Sequence, residues 1–309
     1  MNMRILTLII CMLALVTSQP AQAGSEHCGD SGVWIEILGA GGGDLDDGQA
    51  ASSYLVWQDD VARLLVDVGP GSTFGFDKSG ADFNTIEAIA LTNLHPNHVG
   101  DLVAYISNSS TENRPGALTV LGPNGGGEQY PSTSGFLDRL LGENGLYPFL
   151  ADALTFQSSL GYRIRSMDIP AQGNRRWARY GSDYMRLAAI PVHHGGVPAV
   201  AYRVEIGGQS IVFGGNFSNL KNSLAAFASD ADALIVSHAI PEIARGQLRD
   251  QYALPSQIGK VAQQANARML ILGHRNTRTR GRESLSRAAM EASYDGTILF
   301  ANDGECWGL

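Results

Sequence analysis

The chain is built on a rhythm, and that rhythm is its strongest constraint: short apolar runs separated by glycine-rich turns, repeated in two halves. In the first half Val33–Leu38, Tyr54–Trp57, Ala62–Val68 and Ile86–Thr92 read as strands, the middle two as a hairpin turning near Gln58-Asp59-Asp60. Residues 122–135, rich in Gly, Pro and Ser, read as a surface loop before a helical stretch from Phe136 to Leu141. In the second half Met185–Val192, Ala199–Ile206, Ser210–Phe213 and Ala233–Val236 read as strands, with Leu220–Ala228 as a helix. Pro255–Ala265 reads as an amphipathic helix opened by proline at its first turn, and Met269–Leu272 as a strand that delivers His274. Hairpins followed by helix and strand, twice over, predict two sheets packed face to face with helices outside. No linker, low-complexity tract or fixed-period repeat divides the chain, so residues 24–309 are expected to form one domain.

The first 23 residues are set apart. Arg4 precedes an apolar run from Ile5 to Val16, and Ala21-Gln22-Ala23 follows as a small-x-small site, the pattern of a secretory signal. The run is shorter than the ~20 apolar residues that span a bilayer, so no membrane anchor is expected after cleavage. Cys11 leaves with the signal, and Cys28 and Cys306 are expected to pair as a disulfide in an oxidising compartment, a periplasm or the exterior. The chain holds 22 basic and 30 acidic residues, and Arg4 goes with the signal, leaving 21 against 30. That balance predicts a small-molecule substrate or ligand and no long nucleic acid as partner. Nothing in the sequence indicates an oligomeric state.

Chemistry concentrates in Thr92-Asn93-Leu94-His95-Pro96-Asn97-His98-Val99-Gly100-Asp101-Leu102, which follows a strand. The segment resembles the HxHxDH metal-binding loop of the metallo-β-lactamase fold, with Asn93 in place of the first His and Asn97 in place of the Asp. Other landmarks follow in the family's order. Leu65-Val66-Asp67-Val68-Gly69 resembles its early strand ending in Asp and Gly, His194 its next His ligand, Asn216 its bridging Asp, and His274 its final His. The Gly-rich opening, Val200–Glu205, and the helix and strand from Ser256 to His274 are most similar to the ribonuclease Z-like branch.

The resemblance implies an α/β sandwich of αββα type, two central mixed sheets flanked by helices. It implies metal ligands at His95, His98, His194 and His274, with Asn93 a poor amide substitute for imidazole. Motif positions Asn97 and Asn216 are neutral, so neither serves as general base or anionic bridge, and Asp67 is expected to orient a histidine. Three outcomes remain open: one Zn²⁺ held by three histidines with a water position, a closed four-histidine structural site, or no metal at all. The first makes an exported hydrolase of a small ester, lactone, amide or phosphodiester; the last makes a metal-free pseudoenzyme that binds a ligand.

His193 adjoins His194, and spacing alone does not choose between them; the Gly-Gly-Val-Pro-Ala that follows favours His194. His238 is expected to be structural, and Tyr252 stands where the relatives place a further histidine. Asp101 is expected to stabilise a turn, and Asp44, Asp46 and Asp47 to lie in a solvated loop. Arg275, Arg278, Arg280 and Arg282 read as the only basic cluster, either facing the pocket mouth or solvated. Gly39-x-Gly41 lacks the third glycine of a dinucleotide loop, because position 44 is Asp.

Overall fold

The computed structural model describes residues 29–109, 114, 116–155, 158 and 161–309. The expected signal and Cys28 lie outside them, and with Cys28 the expected disulfide; Cys306, buried on the last strand, is not a free thiol. Among the described residues no helix is long and apolar enough to cross a membrane.

Fourteen strands form two sheets of seven. In the first, β1 (Val33–Gly39), β2 (Ser53–Gln58) and β3 (Val61–Val66) are antiparallel, and β4 (Ala88–Ala90), β5 (Leu118–Pro123) and β6 (Ile164–Ile169) continue in parallel. In the second, β7 (Trp177–Gly181), β8 (Met185–Val192), β9 (Ala199–Ile206) and β10 (Gln209–Gly215) are antiparallel. β11 (Ala233–Ser237), β12 (Met269–Gly273) and β13 (Thr297–Phe300) extend it in parallel, while β14 (Cys306–Gly308) returns to pair with β1.

Period-two alternation explains the layering. Ile35 and Ile37 of β1 point between the sheets, where they meet Val56, Val66, Tyr202, Phe213 and Ile271, whereas Trp34 and Leu38 point outward beneath helices with Leu65, Ile89 and Leu102. The second sheet buries its outer face, including Val212, Leu234 and Leu270, against Ile258, Val261 and Met290 of helices Pro255–Gln264 and Glu283–Glu291. The result is helix, sheet, sheet, helix, the αββα sandwich.

Several elements differ from expectation. The strand read over Ile86–Thr92 is only Ala88–Ala90, because the residues after it leave the ladder to build a site. The loop read over 122–135 is shorter, since β5 runs to Pro123 and the helix starts at Thr133, capped by Ser132 Oγ on Gly135 N. The helix over Leu220–Ala228 shrinks to Leu224–Phe227. β3 and β4, and β10 to β12, end at one edge of the sandwich, where open α/β sheets place their ligands.

Candidate functional site

Asp67 begins the site. It ends β3 in the left-handed region, at φ 57°, which turns its side chain back under the next strand. One carboxylate oxygen accepts the Thr92 N–H at 2.7 Å; the other accepts the Thr92 hydroxyl at 2.8 Å and His98 Nδ1 at 2.7 Å. His98 therefore carries its proton on Nδ1 and turns a lone pair outward on Nε2. Asn216 fills that position, its Nδ2 donating to His98 Nε2 at 3.0 Å while its Oδ1 accepts the Ser237 hydroxyl. The buried chain Asp67, His98, Asn216, Ser237 is thus bonded at every link.

The other imidazoles are oriented in the same way. His274 Nδ1 lies 2.9 Å from Ser52 Oγ, which donates onward to the Gly41 carbonyl, so the ring donates and Nε2 keeps the lone pair. His194 Nδ1 lies 2.8 Å from the Gln251 carbonyl, and its buried Nε2 has no partner among the described residues. Burial, and then the neighbouring imidazoles, hold His274 well below the usual histidine range. Desolvation, only partly offset by the Gln251 carbonyl, lowers His194 to about 4, and burial also lowers His95.

The four rings meet as two pairs. His95 and His194 stand edge to face with centroids 5.6 Å apart; His98 and His274 stack at 5.0 Å. Each pair takes one ring from the segment after β4 and one from the end of a strand in the other sheet. Tyr252 closes the box, 5.2 Å from the His194 ring and 6.0 Å from that of His274. The three asparagines at ligand positions are all engaged locally: Asn93 Oδ1 caps the His95 N–H at 3.0 Å, Asn97 Nδ2 donates to the Gly42 carbonyl at 2.6 Å, and Asn216 holds His98. Gly43, at φ +91°, makes room for Asn97, since a Cβ there would come within 2.6 Å of the Asn97 Cβ.

This donor set does not fit a catalytic zinc ion. Such ions take three protein ligands, and among the described residues no three His, Cys, Asp or Glu side chains are arranged to hold one. The pairs supply two imidazoles each and no carboxylate, and the His98 lone pair is already used.

Residues weighed in the sequence fall into place around the box. His193 turns away to Ser218 and the Asp250 carbonyl, and His238 is buried against Ser286 Oγ at 2.8 Å, outside the site. Asp101 caps Thr73 through both N–H and hydroxyl. The acidic trio is not a solvated loop: Asp47 is buried, and Asp44 accepts both the N–H and hydroxyl of Thr277, tying the glycine loop to the loop after β12. Arg275 does not face the mouth; it is buried, bonded to Glu283 and the Ala301 carbonyl. Ser52, Thr92 and Ser237, which orient the site, escaped the sequence reading because a single hydroxyl residue carries no motif. A cavity of about 440 Å³ lies elsewhere, beside Phe76, Phe83 and Tyr105, and none of the site histidines lines it.

The metallo-β-lactamase superfamily model matches residues 46–222, more than half of the sequence. The chain belongs to that superfamily. Its hydrolase fold and ribonuclease Z-like branch agree with the relatives found. The protein named Ribonuclease Z from Mycolicibacterium gilvum is 27% identical over 292 residues, covering 88% of this chain and 94% of its own. Human tRNase Z, short form, superposes with a TM-score of 0.66 at 16% identity, over 88% of this chain and 98% of that one. Zn²⁺-bound PqqB from Methylobacterium extorquens gives 0.62 at 16% identity, over 89% of this chain and all of that one. The expectation that a long nucleic acid is excluded as a partner is overturned by these relatives, named as ribonucleases. Its physical fault is that net charge sums the whole surface, whereas a polyanion responds to local cations.

Proposed function

We propose that this superfamily member is a ligand-binding protein whose pocket has exchanged metal chemistry for a fixed hydrogen-bond network. One observation carries the reading: Asn216 donates to His98 Nε2 at 3.0 Å, where a metal ligand needs a free lone pair. Asn93 and Asn97 support it, each turned to a backbone partner. What remains is a box of imidazoles and Tyr252 in which His194 Nε2 is an acceptor without a donor. A small polar ligand that presents a hydroxyl or N–H to that nitrogen satisfies it. The expected export of the chain belongs to the same reading and rests on the apolar run Ile5–Val16 and the Ala21-Gln22-Ala23 site.

The test combines elemental analysis of the chain purified without chelator with turnover of an activated phosphodiester, ester and lactone in added zinc. The reading expects no stoichiometric metal and no turnover in the native chain. It expects both to appear in the variant carrying Asn93→His, Asn97→Asp and Asn216→Asp. About one zinc per native chain with zinc-dependent turnover would establish a mononuclear hydrolase instead.

A further inference from the structure

A second feature lies on the outer face of the second sheet. The register of β8 and β9 sets Arg186 opposite Glu205 and Ala188 opposite Arg203, and β7, the edge strand, adds Arg176, at its threshold, and Arg179. Arg176, Arg179, Arg186 and Arg203 line a groove of about 370 Å³. Its one carboxylate, Glu205, turns from its cross-strand neighbour to Arg203, with 2.6 Å between Nε and Oε1. Arg203 also donates to the carbonyls of Phe227 and Ser229, so it is fully engaged. None of the other three forms an ion pair among the described residues. Arg186 lies along the groove floor, where a Cβ on Gly181 would stand 3.4 Å from its Nη1. In a chain of net charge −8, three guanidinium groups without counterions converge on one groove.

We propose that this groove binds a linear phosphate polyanion, through its backbone charge, at a surface separate from the imidazole pocket. The bulge between Trp177 and Tyr180 shortens β7 by one step against β8, so at roughly 3.3 Å per step Arg176 lies about 7 Å from Arg179 and about 13 Å from Gly181, which the register sets opposite Arg186. A single phosphate does not reach across that span; consecutive phosphates do, each meeting the planar fork that guanidinium offers. Ala178, Gly181 and Ala188 place small residues between the arginines. Arg186 lies six residues, roughly 20 Å, before the end of β8 at Val192, and His194 stands beyond that end, so the two sites are independent.

Fluorescence anisotropy with a labelled short single-stranded oligonucleotide, and inorganic polyphosphate as a parallel ligand and competitor, tests the proposal on the full chain. Binding is expected to weaken with salt at a log–log slope of about −2, as three phosphate contacts at about 0.7 each require. The R176Q/R179Q/R186Q variant is expected to lose at least tenfold in affinity with its melting temperature unchanged, and R179E alone a smaller part of that. Binding of both anions assigns the site to the phosphate chain itself; binding of one alone identifies which source the groove takes. His194→Ala is expected to bind as the native chain does, which separates this surface from the pocket. No binding of either anion at low salt, equal binding by the folded triple variant, or binding of an acidic peptide alone would overturn the proposal. The arginines would then serve only to keep the edge strand from pairing.

Discussion

Asn216→Asp is the substitution on which the pocket reading turns. Asn216 and Asp67 are each 1% exposed, and His98 lies between them, so the change places a second carboxylate on the far side of one buried imidazole. The donor to His98 Nε2 disappears, and a buried acceptor left without its partner costs about 1–3 kcal/mol. A new buried charge lacking a full counterion raises the loss toward the 3–5 kcal/mol typical of a broken buried pair. A loss of about 3 kcal/mol is therefore expected in chelator. Zinc offsets most of that loss, because the new carboxylate joins His98 and His274 as a third ligand on one side of the box. At a hundredfold excess over its dissociation constant, bound zinc restores about 2.7 kcal/mol. Urea unfolding of native and variant chains, each in chelator and in zinc, measures all four values. The reasoning fails if the variant is as stable as the native chain in chelator, or if zinc stabilises the native chain as strongly as the variant.

Other consequences are equally measurable. Burial, and then Arg275, lowers His238 to about 4, and burial lowers His194 to a similar value. The unfolded chain takes up protons on both near 6.5 while the folded chain does not, so stability is full above that pH and falls as pH drops toward 4, by about 2 kcal/mol per histidine between pH 7 and 5. His238→Gln should remove its own share of that slope in urea titrations at the two pH values; an unaltered slope contradicts the assignment. Gly273→Ala should lower the melting temperature, since its Cβ would stand 2.0 Å from the Tyr54 hydroxyl, at a cost of about 2 kcal/mol that Tyr54→Phe relieves in part. Asp44→Ala should speed hydrogen exchange of the Thr277 amide at least tenfold, with under about 1 kcal/mol of global stability lost, because it removes the acceptor of an exposed clamp.

Most strands that bury both faces were plain in the sequence, β1 to β3 and β8 to β12, because their apolar runs admit few alternatives; β5, buried along its whole length, was not read, since Gly122 and Pro123 merge it with the loop that follows. The edges were not. β6 buries only Ile164 and Ile169 at its ends, β7 carries arginines, and β14 is three residues long, so none shows the alternation that marks a strand. The four histidines were visible through their motif and spacing, and the structure gathers all of them into one box. What the asparagines do there was not visible. Asn93 caps the N–H two residues on, whereas the partners of Asn97 and Asn216, a glycine carbonyl, an imidazole and a serine hydroxyl, are brought to them by the fold from other segments. The arginine groove was only half visible: Arg176 and Arg179 are close in sequence, whereas Arg186 and Arg203 join them only through strand register.

Each imidazole pair draws one ring from either sheet, so the box sits astride the seam on which the whole sandwich closes. A molecule that grips both rings of a pair acts as a rivet through that seam. It holds the two halves of the chain together without touching the apolar layer between them. Occupancy should therefore register as slower opening of the sandwich, readable in the unfolding rate even for a ligand that is never transformed.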